Sequence, residues 1–257
     1  MFEELIQELI SLPQIEAIAL GGSRAGSNYD DSSDYDVYLY CTGTVTEDKR
    51  RQVLSRFCSY MELGNHFWEL EDNVTLKNGI DMDLLYRNLD DFISDVASVA
   101  EQCRARNGYT TCMWHNLITC KILYDRDGRL TAAKKRFQIP YPLSLKQNII
   151  CRNRKLLHGT LPAYSGQIMK AAQRHDPVSI NHRVSAFLES YFDILFALNE
   201  KTHPGEKRLI ALAKEQCAII PDQFEENLNQ LFLHMFADQQ LLNDDLTAIL
   251  QNLEKII

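Results

Sequence analysis

A chain of 257 residues with 45% hydrophobic and 24% charged residues has the composition of an ordinary globular protein and the length for one large domain or two modest ones. Its net charge of −8 argues against a broad basic face that would wrap duplex nucleic acid. No apolar run reaches the length of a membrane span, and the acidic start MFEELIQELI lacks the basic opening of a signal peptide, so the cytoplasm is the expected location. The seven cysteines are odd in number, show no Cys-x-x-Cys pair and lie mostly in apolar periodic segments, which predicts buried thiols in a reducing compartment.

In chain order, FEELIQELISL has helical apolar spacing and ends at Pro13, feeding a predicted strand IEAIAL. Gly21 and Gly22 follow, where the backbone can approach a ligand closely and N–H groups together with the Ser23 hydroxyl suit phosphate oxygens. Arg24 is a further candidate for those phosphates. Asp30 and Asp31 read as solvated loop acids.

The next predicted strand, DYDVYLYC, places Asp34, Asp36 and Tyr38 on one face and Tyr35, Val37 and Leu39 on the other. Two like charges on one face repel and are poor strand formers, so local structure does not account for them. A hard divalent cation such as Mg²⁺ would, because it takes one or two carboxylates and completes its shell with water and substrate phosphate.

Thr46 looks like a helix start, and EDKRRQVLSRFCSYM continues as an amphipathic helix. Three short extended pieces come next, HFWELED, NVTLKNG and IDMDLLY. In the third, Asp81, Asp83 and Leu85 share a face, so either acid would complete a triad with Asp34 and Asp36, and spacing does not choose between them. Beyond Ser144 five segments have helical spacing, divided by Pro162, Pro177, His203–Pro204–Gly205 and Pro221. The predicted fold class is α+β: a small mixed β-sheet with flanking helices over 1–140, followed by an all-α helical bundle over 141–257.

The ordered set of apolar strand, Gly-Gly-Ser, polar loop and Asp-x-Asp strand resembles the signature of the nucleotidyltransferase superfamily, which includes DNA polymerase beta and the antibiotic nucleotidyltransferases. Gly21, Gly22, Ser23, Asp34 and Asp36 match it position by position. MDLLYRNLDDF, LYDRDGRLTAAKKRFQIPYPLSLKQ and YFDILFALNEKTHPGEKRL are similar to a bacterial nucleotidyltransferase-like family of unknown function, related to the lincosamide and aminoglycoside nucleotidyltransferases. In that family the acid stands directly before the LLYR-like run, which favours Asp83.

The resemblance implies metal-dependent transfer of a nucleoside monophosphate, AMP by preference, from its triphosphate to a hydroxyl of a small-molecule acceptor, with antibiotics and hence resistance among the candidates. It implies two Mg²⁺ ions, replaceable by Mn²⁺, held by Asp34, Asp36 and Asp83, and phosphates held by Gly21, Gly22, Ser23 and Arg24. Asp83 would also help to remove the acceptor proton. The helical half would bind the acceptor, with Tyr164, Arg174, Asp176, Tyr191, Asn199, Glu200, Lys207 and Arg208 as candidates. The expected partners are the nucleoside triphosphate and the acceptor, with no nucleic acid and no membrane; a homodimer is compatible with this set.

The alternative reading is a nucleotide-sensing or toxin–antitoxin-type binding protein on the same fold, without turnover. Arg152 and His158 in RNRKLLH are similar to the arginine–histidine motif of helical toxin RNases, a short motif that charged helices acquire by chance. The seven histidines lack the His-x-x-x-His and His-Glu-x-x-His spacings of zinc hydrolases.

Overall fold

The run IEAIAL forms strand β1 (Ile15–Leu20) and is buried along its whole length, as a strand covered on both faces must be. The computed structural model describes residues 1–26, 33–67, 69–159 and 161–257. The chain forms two units, Met1–Ala97 with Asn116–Ile139 and Ser98–His115 with Pro140–Ile257.

In the first unit, helix α1 (Phe2–Ile10) precedes β1, and β2 (Tyr35–Cys41) is followed by α2 (Glu47–Leu54), β3 (Cys58–Asn65), β4 (Leu70–Leu76) and β5 (Asp81–Asn88). Helices α3 (Leu89–Ala100) and α4 (Cys112–Thr119), strand β6 (Lys121–Asp125) and helix α5 (Arg129–Arg136) come next in the chain. The six strands form one sheet in the order β3-β4-β5-β2-β1-β6. Only β2 and β5 run parallel among its pairs. A parallel pair requires a crossover, and α2, β3 and β4 supply it.

Alternation sends Val37 and Leu39 of β2 and Met82 and Leu84 of β5 to one face, where they pack with Leu5 and Leu9 of α1 and Val53 and Leu54 of α2. Asp36, Tyr38 and Tyr40 therefore share the opposite face with Asp83, Leu85 and Arg87. The expected mixed sheet with flanking helices is what forms.

Two local expectations fail. The helix expected through Met61 stops at Leu54, and Cys58–Asn65 instead becomes the edge strand β3, its backbone paired with β4. HFWELED and NVTLKNG are not separate strands: β4 runs unbroken through Asn73, whose side chain finds hydrogen-bond partners on the polar face.

One buried ion pair ties the crossover to the sheet. Arg50 of α2 donates to Asp72 of β4, both nearly inaccessible to solvent. Asp72 also accepts from the Gly64 N–H and the Tyr86 hydroxyl, each at 2.9 Å. A charge pair this deep depends on the donors that converge on its carboxylate, and removing one partner strands the other.

The second unit is helical, with α6 (Leu143–Leu157), α7 (Tyr164–Gln173), α8 (Pro177–Leu198), α9 (Leu209–Gln216), α10 (Phe224–His234) and α11 (Gln239–Glu254). Helix α7 has no counterpart among the five expected, because its buried residues are only Ile168, Ala171 and Ala172. Helix α8 starts where Asp176 accepts from the Ser179 N–H at 3.0 Å, with Pro177 in its first turn. Its core face carries Phe187, Tyr191 and Phe192 against Phe224 of α10.

Polar groups are buried in this unit as well. Asp193 accepts from the Thr110 N–H at 3.0 Å, the Thr110 hydroxyl at 2.7 Å and Asn153 Nδ2 at 2.9 Å. Thr111 Oγ1 accepts from the His203 N–H at 2.8 Å. Cys41, Cys58, Cys120 and Cys217 are buried thiols as expected, whereas Cys151 is exposed. No helix among the described residues is long and apolar enough to cross a membrane.

Two outcomes are expected. Asp72→Ala lowers the unfolding free energy by about 3–5 kcal/mol in urea titration, since it leaves Arg50 buried and uncompensated. The second concerns pH: burial pushes the Asp193 carboxyl up to about 6 against its hydrogen bonds, while burial and the nearby His115 pull the His203 imidazole down to about 3. Asp193 binds its proton more tightly when folded, so it withdraws stability as pH rises from about 4 to about 6; His203 binds less tightly when folded and withdraws stability as pH falls below about 6.5. In Asp193→Asn the opposing carboxyl contribution is removed, and stability rises between about pH 4 and 6 more steeply than in the wild type, by about 1 kcal/mol per pH unit. Parallel pH profiles for the two proteins would refute that assignment.

Candidate functional site

At the end of β1 the Gly21 N–H donates to the Asp36 carbonyl at 2.8 Å, carrying the β1–β2 ladder one residue further. The chain then turns through Gly22, at φ 57° and ψ −154°, into a single 3₁₀ turn at Ser23–Ala25. That backbone region is open only to glycine. The space beside it is also taken. A Cβ on Gly22 would lie 1.7 Å from Asp36 Oδ2, and one on Gly21 would lie 2.3 Å from Cε2 of the Tyr38 ring. The two glycines are thus seats for two side chains that stand two residues apart on β2.

Asp36 is half-buried and lies directly opposite Asp83 in the parallel β2–β5 register. Neighbouring strands are about 4.8 Å apart, so the two carboxylates rise side by side from one face. Asp83 is half-buried and accepts from Asn73 Nδ2 at 2.8 Å. Asp81 points the same way but is exposed and accepts from the Thr75 hydroxyl at 2.7 Å. Asp34 is half-buried and stands one residue before β2.

The floor beside these acids is rigid. Arg87 stacks 4.2 Å from the centre of the Tyr38 ring and donates to both Glu69 carboxylate oxygens at 2.6 and 2.7 Å and to Asn116 at 3.0 Å. Fixing Arg87 fixes Tyr38, and Tyr38 covers Gly21.

Of the remaining expected phosphate ligands, Gly22 and Ser23 are exposed at the turn. Arg24 is engaged elsewhere: its Nε donates to the Ser33 carbonyl at 2.7 Å and its guanidinium lies 4.1 Å from the centre of the Tyr35 ring. Tyr35 itself stacks on Phe2 of α1. By strand alternation this puts the Arg24 guanidinium on the side of β2 away from Asp36. Asp30 and Asp31 lie outside the described residues.

Among the described residues no three His, Cys, Asp or Glu side chains gather into a set that could hold a metal ion. Asp34, Asp36 and Asp83 therefore do not stand as a preformed cage, which like charges resist without a cation between them. The paired carboxylates Asp36 and Asp83 nonetheless offer the donors that Mg²⁺ takes from proteins when phosphate and water supply the rest. The residues fit a cation that completes its shell with water or phosphate.

The expected acceptor contacts in the helical unit are largely structural. Tyr191 is core, Asp176 caps α8, Asn199 donates to the Leu195 carbonyl at 2.9 Å, and Glu200 pairs with Lys146 at 3.1 Å. Tyr164 packs against the helical core, Arg174 closes the end of α7, and Lys207 is exposed. Arg208 does line a cleft of about 1030 Å³, together with Tyr109, Glu189, Phe192, Leu209 and Phe232. Burial raises the Glu189 carboxyl there. Sequence pattern does not single out Glu189, which sits within the apolar stripe of α8, or Tyr109, whose left-handed backbone at φ 49° has no composition signal. Arg152 and His158 turn to separate partners, Asn107 and Glu254, each at 2.7 Å.

The glycine seat generates a prediction. Gly22→Ala must displace the Asp36 carboxylate and strain the turn, costing about 1–3 kcal/mol or more in chemical denaturation, whereas Gly43→Ala, with open space around it, stays within about 0.5 kcal/mol of the wild type. Equal stability of the two variants would show that the Gly22–Asp36 contact does not constrain the turn.

Residues 109–209 match the model of a family described as a domain of unknown function, DUF4037. No curated protein matches the chain. Among solved structures it is similar to a nucleotidyltransferase-like protein from Exiguobacterium sibiricum, at 13% identity and TM-score 0.44 over 97% of this chain and 73% of that one. It is also similar to an aminoglycoside 6-adenyltransferase from Bacillus subtilis, at 9% identity and TM-score 0.31 over 99% and 89%, and to a CCA-adding enzyme solved with CTP, at 15% identity and TM-score 0.34 over 98% and 68%. At TM-scores below 0.5 the functional reading rests on the site itself.

Proposed function

We propose that the chain is a nucleotidyltransferase that moves a nucleoside monophosphate, AMP by preference, from a nucleoside triphosphate to a hydroxyl of a small-molecule acceptor. The observation that carries this reading is the pairing of Asp36 with Asp83 on one face of β2 and β5, with the Asp36 carboxylate seated against the Gly22 turn. Carboxylates beside a backbone turn that can donate N–H groups form a place for phosphate and a divalent cation together.

The reaction forms a bond from the acceptor oxygen to the alpha phosphorus, breaks the bond from that phosphorus to the bridging oxygen, and releases pyrophosphate. The Gly22 and Ser23 N–H groups and the Ser23 hydroxyl hold phosphate oxygens of the leaving group. Asp34, Asp36 and Asp83 carry the negative charge that holds Mg²⁺ or Mn²⁺. Asp83, fixed through Asn73, accepts the proton of the acceptor hydroxyl. A bound divalent cation supplies charge neutralisation at the phosphates and a lowered pKa of the attacking hydroxyl. Arg24 reaches the phosphates only by leaving the Ser33 carbonyl and the Tyr35 ring.

Calorimetric titration with ATP, GTP, CTP and UTP, in Mg²⁺ and then in EDTA, tests the binding half, and pyrophosphate release with a panel of hydroxyl acceptors tests turnover. Triphosphate binding that needs Mg²⁺, with turnover reduced more than about a hundredfold in folded Asp36→Ala and Asp83→Ala, is the expected result. Nucleotide binding without pyrophosphate release for any acceptor would assign the site to sensing; full turnover in folded Asp36→Ala would remove the carboxylate argument.

A further inference from the structure

Asn73 is a poor strand former in the middle of β4, and β-sheet propensity does not explain it. Its register neighbours are Asp83 on β5 and Glu62 on β3, and Asp83 in turn faces Asp36 on β2. One level of the sheet therefore reads Asp36, Asp83, Asn73, Glu62: three acids and a single amide. The amide has a donor end and an acceptor end, and both are used. Its Nδ2 donates to Asp83 Oδ1 at 2.8 Å, while its Oδ1 accepts from Asn65 Nδ2 at 2.6 Å. Asn65 also donates, at 3.4 Å, to Glu62 Oε2, and Glu62 Oε1 accepts from the Tyr60 hydroxyl at 2.5 Å.

The order of these bonds sets the direction of the amide. Because its oxygen is claimed by the Asn65 N–H, its NH₂ has to face Asp83. A carboxylate torsion is broad and two-fold when nothing holds it. Here one oxygen is held, and Oδ2 is left for the incoming cation or the acceptor proton.

We infer that Asn73, itself oriented by Asn65, is a positioning residue that fixes the Asp83 carboxylate for cation capture and proton acceptance. This rests on the nucleotidyltransferase reading of Asp36 and Asp83. Groups that hydrogen-bond a metal-ligating carboxylate govern affinity and activity through its orientation. An amide does this without a fourth negative charge in the row, which an aspartate at the same position would add.

The test uses Mn²⁺ alone, titrated into the whole protein and read by water-proton relaxation, alongside steady-state turnover. Asn73→Leu keeps the side-chain shape and removes the donor. It is expected to weaken Mn²⁺ binding by about 10- to 100-fold and to lower kcat by a similar factor, with KM for the triphosphate within about twofold of the wild type. Asn65→Ala, one bond further from the acid, shifts both quantities in the same direction by less, and it carries the test if Asn73→Leu does not fold. Wild-type Mn²⁺ affinity and kcat in these variants, with Mn²⁺ binding lost in Asp83→Ala, overturns the positioning role and leaves the nucleotidyltransferase reading standing. Wild-type Mn²⁺ binding in Asp83→Ala overturns both.

Discussion

Two glycines at the end of β1 lie where they do because nothing projects from them. The Tyr38 ring occupies the space over Gly21, and the Asp36 carboxylate occupies the space over Gly22. The rest of the site follows from that close approach. It sets the height at which Asp36 stands above the sheet, it brings a turn of backbone within reach of a carboxylate, and it couples the turn to Arg87 through Tyr38. Arg87 is in turn locked by both oxygens of Glu69 and by Asn116. The glycine turn is thereby held against a buried framework, which is what binding a phosphate with backbone donors requires.

Much of this was legible in the sequence, for identifiable reasons. The glycine pair and the Asp-x-Asp strand stood out because each breaks a local rule: two residues without side chains after an apolar strand, and two like charges on one strand face. Alternation placed Asp36 and Asp83 on the polar face of their strands without any knowledge of the sheet. Their pairing in register was not readable, since it is decided by the crossover through α2, β3 and β4. The Asn65–Asn73 chain was invisible for the same reason: it joins residues of two strands, one of which, β3, starts at Cys58–Met61, where helical spacing predicts a continuation of α2.

The helical unit illustrates the opposite case. Its helices announced themselves through apolar periodicity, with α7 escaping because small residues make up most of its buried stripe. What periodicity cannot express is the buried polar set around Asp193. Thr110 and Thr111 stand far from α8 in sequence, in a stretch with no helical pattern of its own, yet they satisfy Asp193 and the His203 backbone. Such bonds are specified by partners rather than by spacing, and a carboxylate is kept in that interior at a cost offset by three donors.

The parallel pairing of β2 with β5 carries a consequence for when the site comes into being. Neighbouring strands in a hairpin meet early, because little chain entropy is lost in closing a short loop; the crossover between β2 and β5 must instead be closed around a helix and two further strands. A nascent or partly unfolded chain can hold the glycine turn against β2, but it holds Asp36 without its partner. The paired acids exist only once β2 and β5 are joined, so on the proposed function affinity for a divalent cation would itself report that pairing. A cation that binds the finished pair and not the open chain stabilises the crossover by mass action, and it does so at the step where the repulsion between the two carboxylates first appears.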